Sequence, residues 1–115
     1  MGLMLESPYS SESQSWLRGN LHTHTRESDG PATPQETIDI YAGLGYDFLM
    51  LSDHDMTTSL DNLEPRGLTL ISGNEITGHG PHLLHVGTKS TVQPYPDRQR
   101  VLDAIRREGG FAVFC

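Results

Sequence analysis

Phe48-Leu49-Met50-Leu51 is an unbroken apolar run, and it passes directly into Ser52-Asp53-His54-Asp55. A strand with one wet face alternates apolar and polar residues. An uninterrupted run needs cover on both faces, as strands have inside an α/β domain. The flanking sequence supplies partners. Trp16 to Leu21 reads as a strand. Thr33-Pro34-Gln35-Glu36 reads as a helix start, with Thr33 as N-cap, Pro34 in the first turn and Glu36 closing a capping box. Ile38, Tyr41, Ala42 and Leu44 give that helix an apolar side, and Gly43 or Gly45 ends it. Met56 to Gly67 is polar and irregular. Leu68 to Ser72 reads as a strand entering Gly73-Asn74-Glu75, and a glycine-bearing loop, Gly78-His79-Gly80-Pro81, leads to His82 to Gly87 as the next segment. Asp97 caps a second helix whose Val101, Leu102 and Ile105 form one stripe, with Arg106 and Arg107 in its last turn and Gly109 as its stop. Phe111 to Phe114 begins a further buried strand. This order predicts an α/β fold with mainly parallel strands and no internal repeat.

The 115 residues suffice for one domain and leave no room for a second. Fifteen acidic against eight basic residues give a net charge of −7, without a basic patch. Duplex nucleic acid and anionic membranes are therefore not expected partners. The acidic balance does not exclude a phosphate-bearing substrate, because two divalent cations would take −7 to −3 and turn a pocket locally positive. Cys115 is the only cysteine, so no intrachain disulfide can form and a reducing compartment is expected. No apolar run approaches a membrane span, and the start lacks the pattern of a signal peptide, so the expected location is the cytoplasm. Residues 1–15, rich in serine, are expected to form a flexible arm.

The polar residues that follow the strands carry the chemistry. His22 and His24 stand two apart, so in an extended chain both imidazoles point to one side. Asp29 lies five residues past His24 on a turn with Gly30 that can fold back over the pair. His54 and Glu75 follow two further strands, and His82 opens the next. Imidazole nitrogens mixed with carboxylates suit zinc, manganese or iron better than calcium or magnesium. Six candidates exceed what one tetrahedral zinc needs, which points to more than one ion sharing a carboxylate. His82 and His85 are three apart and cannot both face inward from one strand. His79, in a glycine-rich loop, is expected in solvent. Asp53 and Asp55 are expected to orient imidazoles rather than bind metal. Arg18 and Arg26 are candidates to neutralise a substrate phosphate.

Together NLHTHT, SDG, LSDHD, SGNE and GPHLLHVG resemble the PHP family, the polymerase and histidinol phosphatase domain. The RGNLHTHT wording is most similar to its stand-alone metal-dependent phosphoesterase branch. The resemblance implies a distorted β/α barrel holding roughly two to three divalent ions, zinc, manganese or iron, at the carboxyl ends of its strands. It implies His22, His24, Asp29, His54, Glu75 and His82 as metal ligands, with Glu75 bridging. His82 is chosen over His85 because the family's ligand stands five residues before a glycine, as His82 stands before Gly87. Glu75, His54 and Asp29 would carry catalysis. The implied reaction is hydrolysis of a small-molecule phosphate ester by a hydroxide held between ions.

The sequence also departs from the family. Complete PHP domains continue into a His-Pro and an Asp-x-His motif, whereas this sequence stops at Cys115. A closed β/α barrel takes about 250 residues. Residues 16–115 are therefore expected to be the N-terminal portion of a PHP domain, a partial barrel whose exposed sheet edges invite self-association. Such a chain would be inactive if the missing ligands are essential, so the alternative is a non-catalytic metal-binding or structural PHP fragment. An amidohydrolase also opens with His-x-His, but SDHD after the second strand and Lys89 as the only lysine argue against one.

Overall fold

The computed structural model describes residues 15–115; the arm expected over residues 1–15 lies, Ser15 aside, outside the described residues. Five strands form one sheet in chain order: β1 (Gly19–Asn20), β2 (Phe48–Leu51), β3 (Thr69–Ile76), β4 (Leu83–Val86) and β5 (Phe111–Phe114). Helix α1 (Pro34–Gly43) joins β1 to β2, and α2 (Arg98–Arg107) joins β4 to β5. The fold is mixed α/β, a curled five-stranded half-barrel.

The sheet is not mainly parallel. β1–β2 and β2–β3 are parallel, whereas β3–β4 and β4–β5 are antiparallel. The short link from Thr77 to His82 allows only a reversal, since a parallel crossover needs a dozen residues or more. β4 therefore runs back, and the segment after it returns the chain to the end where β4 began. Arg98 fixes that return, donating to Gly78 O at 2.8 Å and Pro81 O at 2.9 Å. After α2, β5 comes in antiparallel to β4 and so points the same way as β1, β2 and β3.

Both helices begin as the sequence predicts. Thr33 and Glu36 form a reciprocal capping box, and Asp97 accepts from Gln99 N at 3.0 Å. Strand alternation then sorts the core. Leu49 and Leu51 join Ile38 of α1 on the outer face, whereas Met50 lies inward with Leu84 and Val86. Gly73 makes room for Met50, because a Cβ there would sit 2.1 Å from its sulfur. Ile76 and Leu83 pack outward against Val101 and Ile105 of α2. Asn74 and His85 pair across β3 and β4 on that same outer side, both fully buried. Burial pushes the His85 imidazole below the usual histidine range and keeps it neutral, the charge of Glu108 opposing in part.

Four expectations shift. The first strand is only Gly19–Asn20, because the following residues turn into the histidine loop. Leu44 is exposed past the end of α1, not part of its buried side. β3 continues past Ser72 through Glu75 to Ile76. β5 is an exposed edge, with Phe111 57% and Phe114 66% accessible, because no described element packs beyond it. No helix among the described residues is long and apolar enough to cross a membrane.

Ile105→Ala is expected to destabilise the chain by about 3 kcal/mol, the cost of a cavity under α2. Phe114→Ala on the open edge should stay within about 0.5 kcal/mol. Urea unfolding of the two variants checks this contrast.

Candidate metal centre

Glu75 lies on the inner face of β3 and is only 2% exposed. An isolated carboxylate could not stay charged at that depth. Imidazoles surround it. His22 Nε2 and His24 Nε2 each lie 3.0 Å from its Oε2, and His54 Nδ1 lies 3.6 Å from the same atom. His82 Nδ1 lies 2.9 Å from Oε1, with Cys115 Sγ at 3.7 Å. Burial pushes the Glu75 carboxyl up, but the hydrogen bond and charge of His22, and the charges of His54 and His24, outweigh it. The net result lies below the usual glutamate value.

Asp29 closes the far side. Its carboxylate oxygens lie 3.6 Å from His24 Nδ1 and 3.2 Å from His54 Nε2. His24 and His54 each thus stand between Glu75 and Asp29, their rings stacked 4.3 Å apart. The Asp29 turn comes this close because Gly30 follows it: a Cβ on Gly30 would sit 2.1 Å from His24 O. Asp29 itself is well exposed.

The fold explains the convergence. His22, His24, His54 and Cys115 follow the carboxyl ends of β1, β2 and β5, and Glu75 lies near that of β3. His82 precedes β4, whose reversed direction puts its start at the same end. His85 lies further along β4 on the side covered by α2, so of the pair it is His82 that meets Glu75. His79 is exposed with a φ of 66°.

Two sets of ligand atoms lie within 4.8 Å of one another among the described residues: His24, His54 and Glu75, and His22, Glu75 and Cys115. Glu75 belongs to both. Asp29 and His82 lie beside these sets and not within them. Imidazoles gathered on one buried carboxylate, with a thiol and a second carboxylate alongside, are a donor set that fits divalent transition ions. A cleft of about 450 Å³ opens next to it, lined by His22, His24, Asp29, Thr37, Ile40 and Tyr41.

Asp53 and Asp55 do not touch imidazoles. Asp53 is fully buried and accepts from Thr25 N at 2.7 Å, Thr25 Oγ1 at 2.8 Å, Ser28 Oγ at 2.7 Å and the Thr58 hydroxyl. Ser52 adds a second clip, its N–H donating to Thr23 O at 2.7 Å while its Oγ accepts from Thr23 N at 2.8 Å. These two residues lock the histidine loop onto the end of β2. Asp55 instead accepts from Thr77 N at 2.8 Å and Gly78 N at 3.0 Å, fixing the turn after β3. The signal for the loop's anchor was present in His-Thr-His-Thr: where alternate residues face Glu75, the threonines between them face the core, and Thr25 is fully buried.

Arg18 lies at the other end of β1, donating to Leu44 O at 3.1 Å and stacking on Tyr46. It does not reach the centre. Arg26 Nε donates to Pro31 O at 2.9 Å within the histidine loop. Cys115 is the residue that sequence reasoning passed over; its position directly after an apolar run, like that of the histidines, was the available clue.

Comparisons with known proteins agree with this architecture. A two-domain protein from Bacteroides vulgatus, containing a predicted PHP-like metal-dependent phosphoesterase, superposes with a TM-score of 0.65 at 22% identity, over 84% of this chain and 34% of its own. At that identity the likeness is one of fold, and the fold is PHP-like. A 3',5'-nucleoside bisphosphate phosphatase of Chromobacterium violaceum is 38% identical over 72 residues, 58% of this chain and 25% of the phosphatase. A 5'-3' exoribonuclease of Haemophilus influenzae is 32% identical over 80 residues, 63% of this chain and 29% of that protein. This chain thus spans about a quarter to a third of these proteins. No protein-family model matches it. The resemblance read from the motifs is met by both the structural neighbour and the phosphatase.

The Asp53 clip makes a testable statement about stability. Burial pushes its carboxyl up, but hydrogen bonds from Thr58, Thr25 and Ser28 bring it below the usual aspartate range. A carboxyl depressed by folding stabilises the native state above its unfolded pKa of about 3.9, and that contribution fades as pH falls through the depressed native value. Unfolding free energies measured between about pH 6 and pH 3 should therefore decline more steeply for the native chain than for Asp53→Asn. Asp53→Ala should cost about 3 kcal/mol near neutral pH.

Proposed function

We propose that the chain is the metal-binding core of a phosphoesterase that hydrolyses small phosphate esters. The observation that carries this reading is the gathering of four imidazoles on the single buried carboxylate of Glu75. In this reading His22, His24, His54 and Glu75 hold divalent ions, Glu75 shared between two positions, while Asp29 and His82 complete the set. The ions, when bound, acidify water and neutralise charge building on the phosphoryl oxygens. Glu75 lies 3.0 Å from His24 Nε2 and Asp29 lies 3.2 Å from His54 Nε2, contacts that would orient the two stacked rings. Glu75, His54 and Asp29 bear the reaction most directly, Asp29 being the exposed carboxylate of the three. The adjacent cleft offers Ile40 and Tyr41 as an apolar wall for the organic group of the ester. A nucleotide-type phosphate ester is the first substrate class to try, because one relative is a nucleoside bisphosphate phosphatase. Zinc, manganese and iron are the ions the donor set favours. The open edge of β5 supports a tendency of the isolated chain to self-associate.

Metal content after gel filtration, followed by phosphate release from a nucleoside bisphosphate, tests the reading. At least one retained transition ion per chain is expected, lost in His22→Ala and Glu75→Gln, with turnover falling by about a hundredfold or more in both. Retained metal without turnover would favour the non-catalytic metal-binding reading. Faster cleavage of a carboxylic ester than of a phosphate ester would overturn the substrate class.

A further inference from the structure

We infer that Cys115 supplies a thiolate ligand to the metal position it shares with His22 and Glu75, biasing that position toward zinc over manganese or magnesium. The inference rests on the metal-centre reading above and adds a ligand that the histidine and carboxylate motifs do not contain.

Three observations converge. First, His22 Nε2, a Glu75 carboxylate oxygen and Cys115 Sγ lie within 4.8 Å of one another, a set distinct from His24, His54 and Glu75. Secondly, the thiol is aimed there by the strand and not by chance rotation. Val113 pairs with Leu84 and Leu84 with Glu75, so these residues share the inner face of the sheet. Cys115 lies two residues past Val113 and so falls on that face as well. Its N–H donates to His82 O at 3.3 Å, carrying the pairing of β5 up to this residue. Thirdly, Sγ lies 3.7 Å from Glu75 Oε1, on a carboxylate that is almost fully buried. One nitrogen, one carboxylate oxygen and one sulfur make three protein ligands, a set that leaves a fourth tetrahedral position open to a small molecule.

Coordination forms a metal–sulfur bond, breaks the S–H bond and releases the proton to solvent, with no change of oxidation state. A thiolate is a soft donor that binds zinc well and manganese or magnesium poorly, so the two metal positions would differ in preference. The position held by His24 and His54 lacks sulfur.

Cobalt(II) titration of the metal-free 115-residue chain under anaerobic conditions tests this, because visible d–d absorption reports binding and a near-ultraviolet sulfur-to-cobalt band reports thiolate ligation. Cys115 is the only cysteine, so any such band comes from it. The expected result is both signals in the native chain. Cys115→Ser should lose the near-ultraviolet band, retain d–d absorption and weaken zinc by about tenfold or more relative to manganese. Cys115→His, which returns a nitrogen donor, should restore zinc affinity without the band. Cobalt bound with d–d absorption alone in the native chain would overturn the inference and leave the metal-centre reading standing. No cobalt binding at all, from a chain folded by circular dichroism, would overturn both.

Discussion

A carboxylate buried to the extent of Glu75 must be matched by donors or it cannot remain an anion. That constraint organises the rest of the molecule. Four imidazoles from three chain segments meet the two oxygens of one side chain, and each segment has to arrive at the same end of the sheet for this to happen. β1, β2 and β3 deliver their residues by running parallel. β4 delivers His82 by running in reverse and starting where the others stop. The short link after Glu75 is thus what lets two consecutive segments serve one point. A longer, crossover connection would have put the start of β4 at the opposite end and removed His82 from the group.

The second layer of the design lies in residues that touch no imidazole. Ser52 and Asp53 precede His54 in the chain, yet they bind Thr23, Thr25 and Ser28 of the histidine loop. One strand end therefore presents its own histidine and clamps the loop that presents two others. The energetic logic follows from burial. Thr25 and Asp53 are inaccessible to water, so a missing partner leaves an unpaired buried group, and the clamp is formed completely or at considerable cost. Rigidity of the histidine loop follows from that all-or-nothing bonding.

Local signals carried much of the fold. The capping box of Thr33 and Glu36, the Asp97 cap and the apolar run from Phe48 to Leu51 specify their elements through interactions within a few residues. What the sequence could not convey was direction and edge. Phe111-Ala112-Val113-Phe114 has the composition of a buried strand, and only the sheet order reveals that its outer side is bare. The direction of β5 likewise depends on where α2 begins, which Arg98 fixes through carbonyls of the Gly78–Pro81 loop. Asp53 was misread for a related reason. A carboxylate beside a histidine suggests an imidazole partner, but strand alternation turns it toward the threonines.

Convergence on Glu75 also gives the two ligand groups different chemical characters. Glu75 is common to both, so their difference must come from the other members. On one side stand two stacked imidazoles backed by the exposed carboxylate of Asp29. On the other stands a single imidazole with a thiol. Burial, then the charge and hydrogen bond of Glu75, push the Cys115 thiol up and favour its protonated form. In the proposed reading a divalent ion held there would oppose that balance, its charge attracting carboxylate and sulfur alike. The carboxylate that favours the protonated thiol is thus the same group that, in the proposed reading, would share an ion with it.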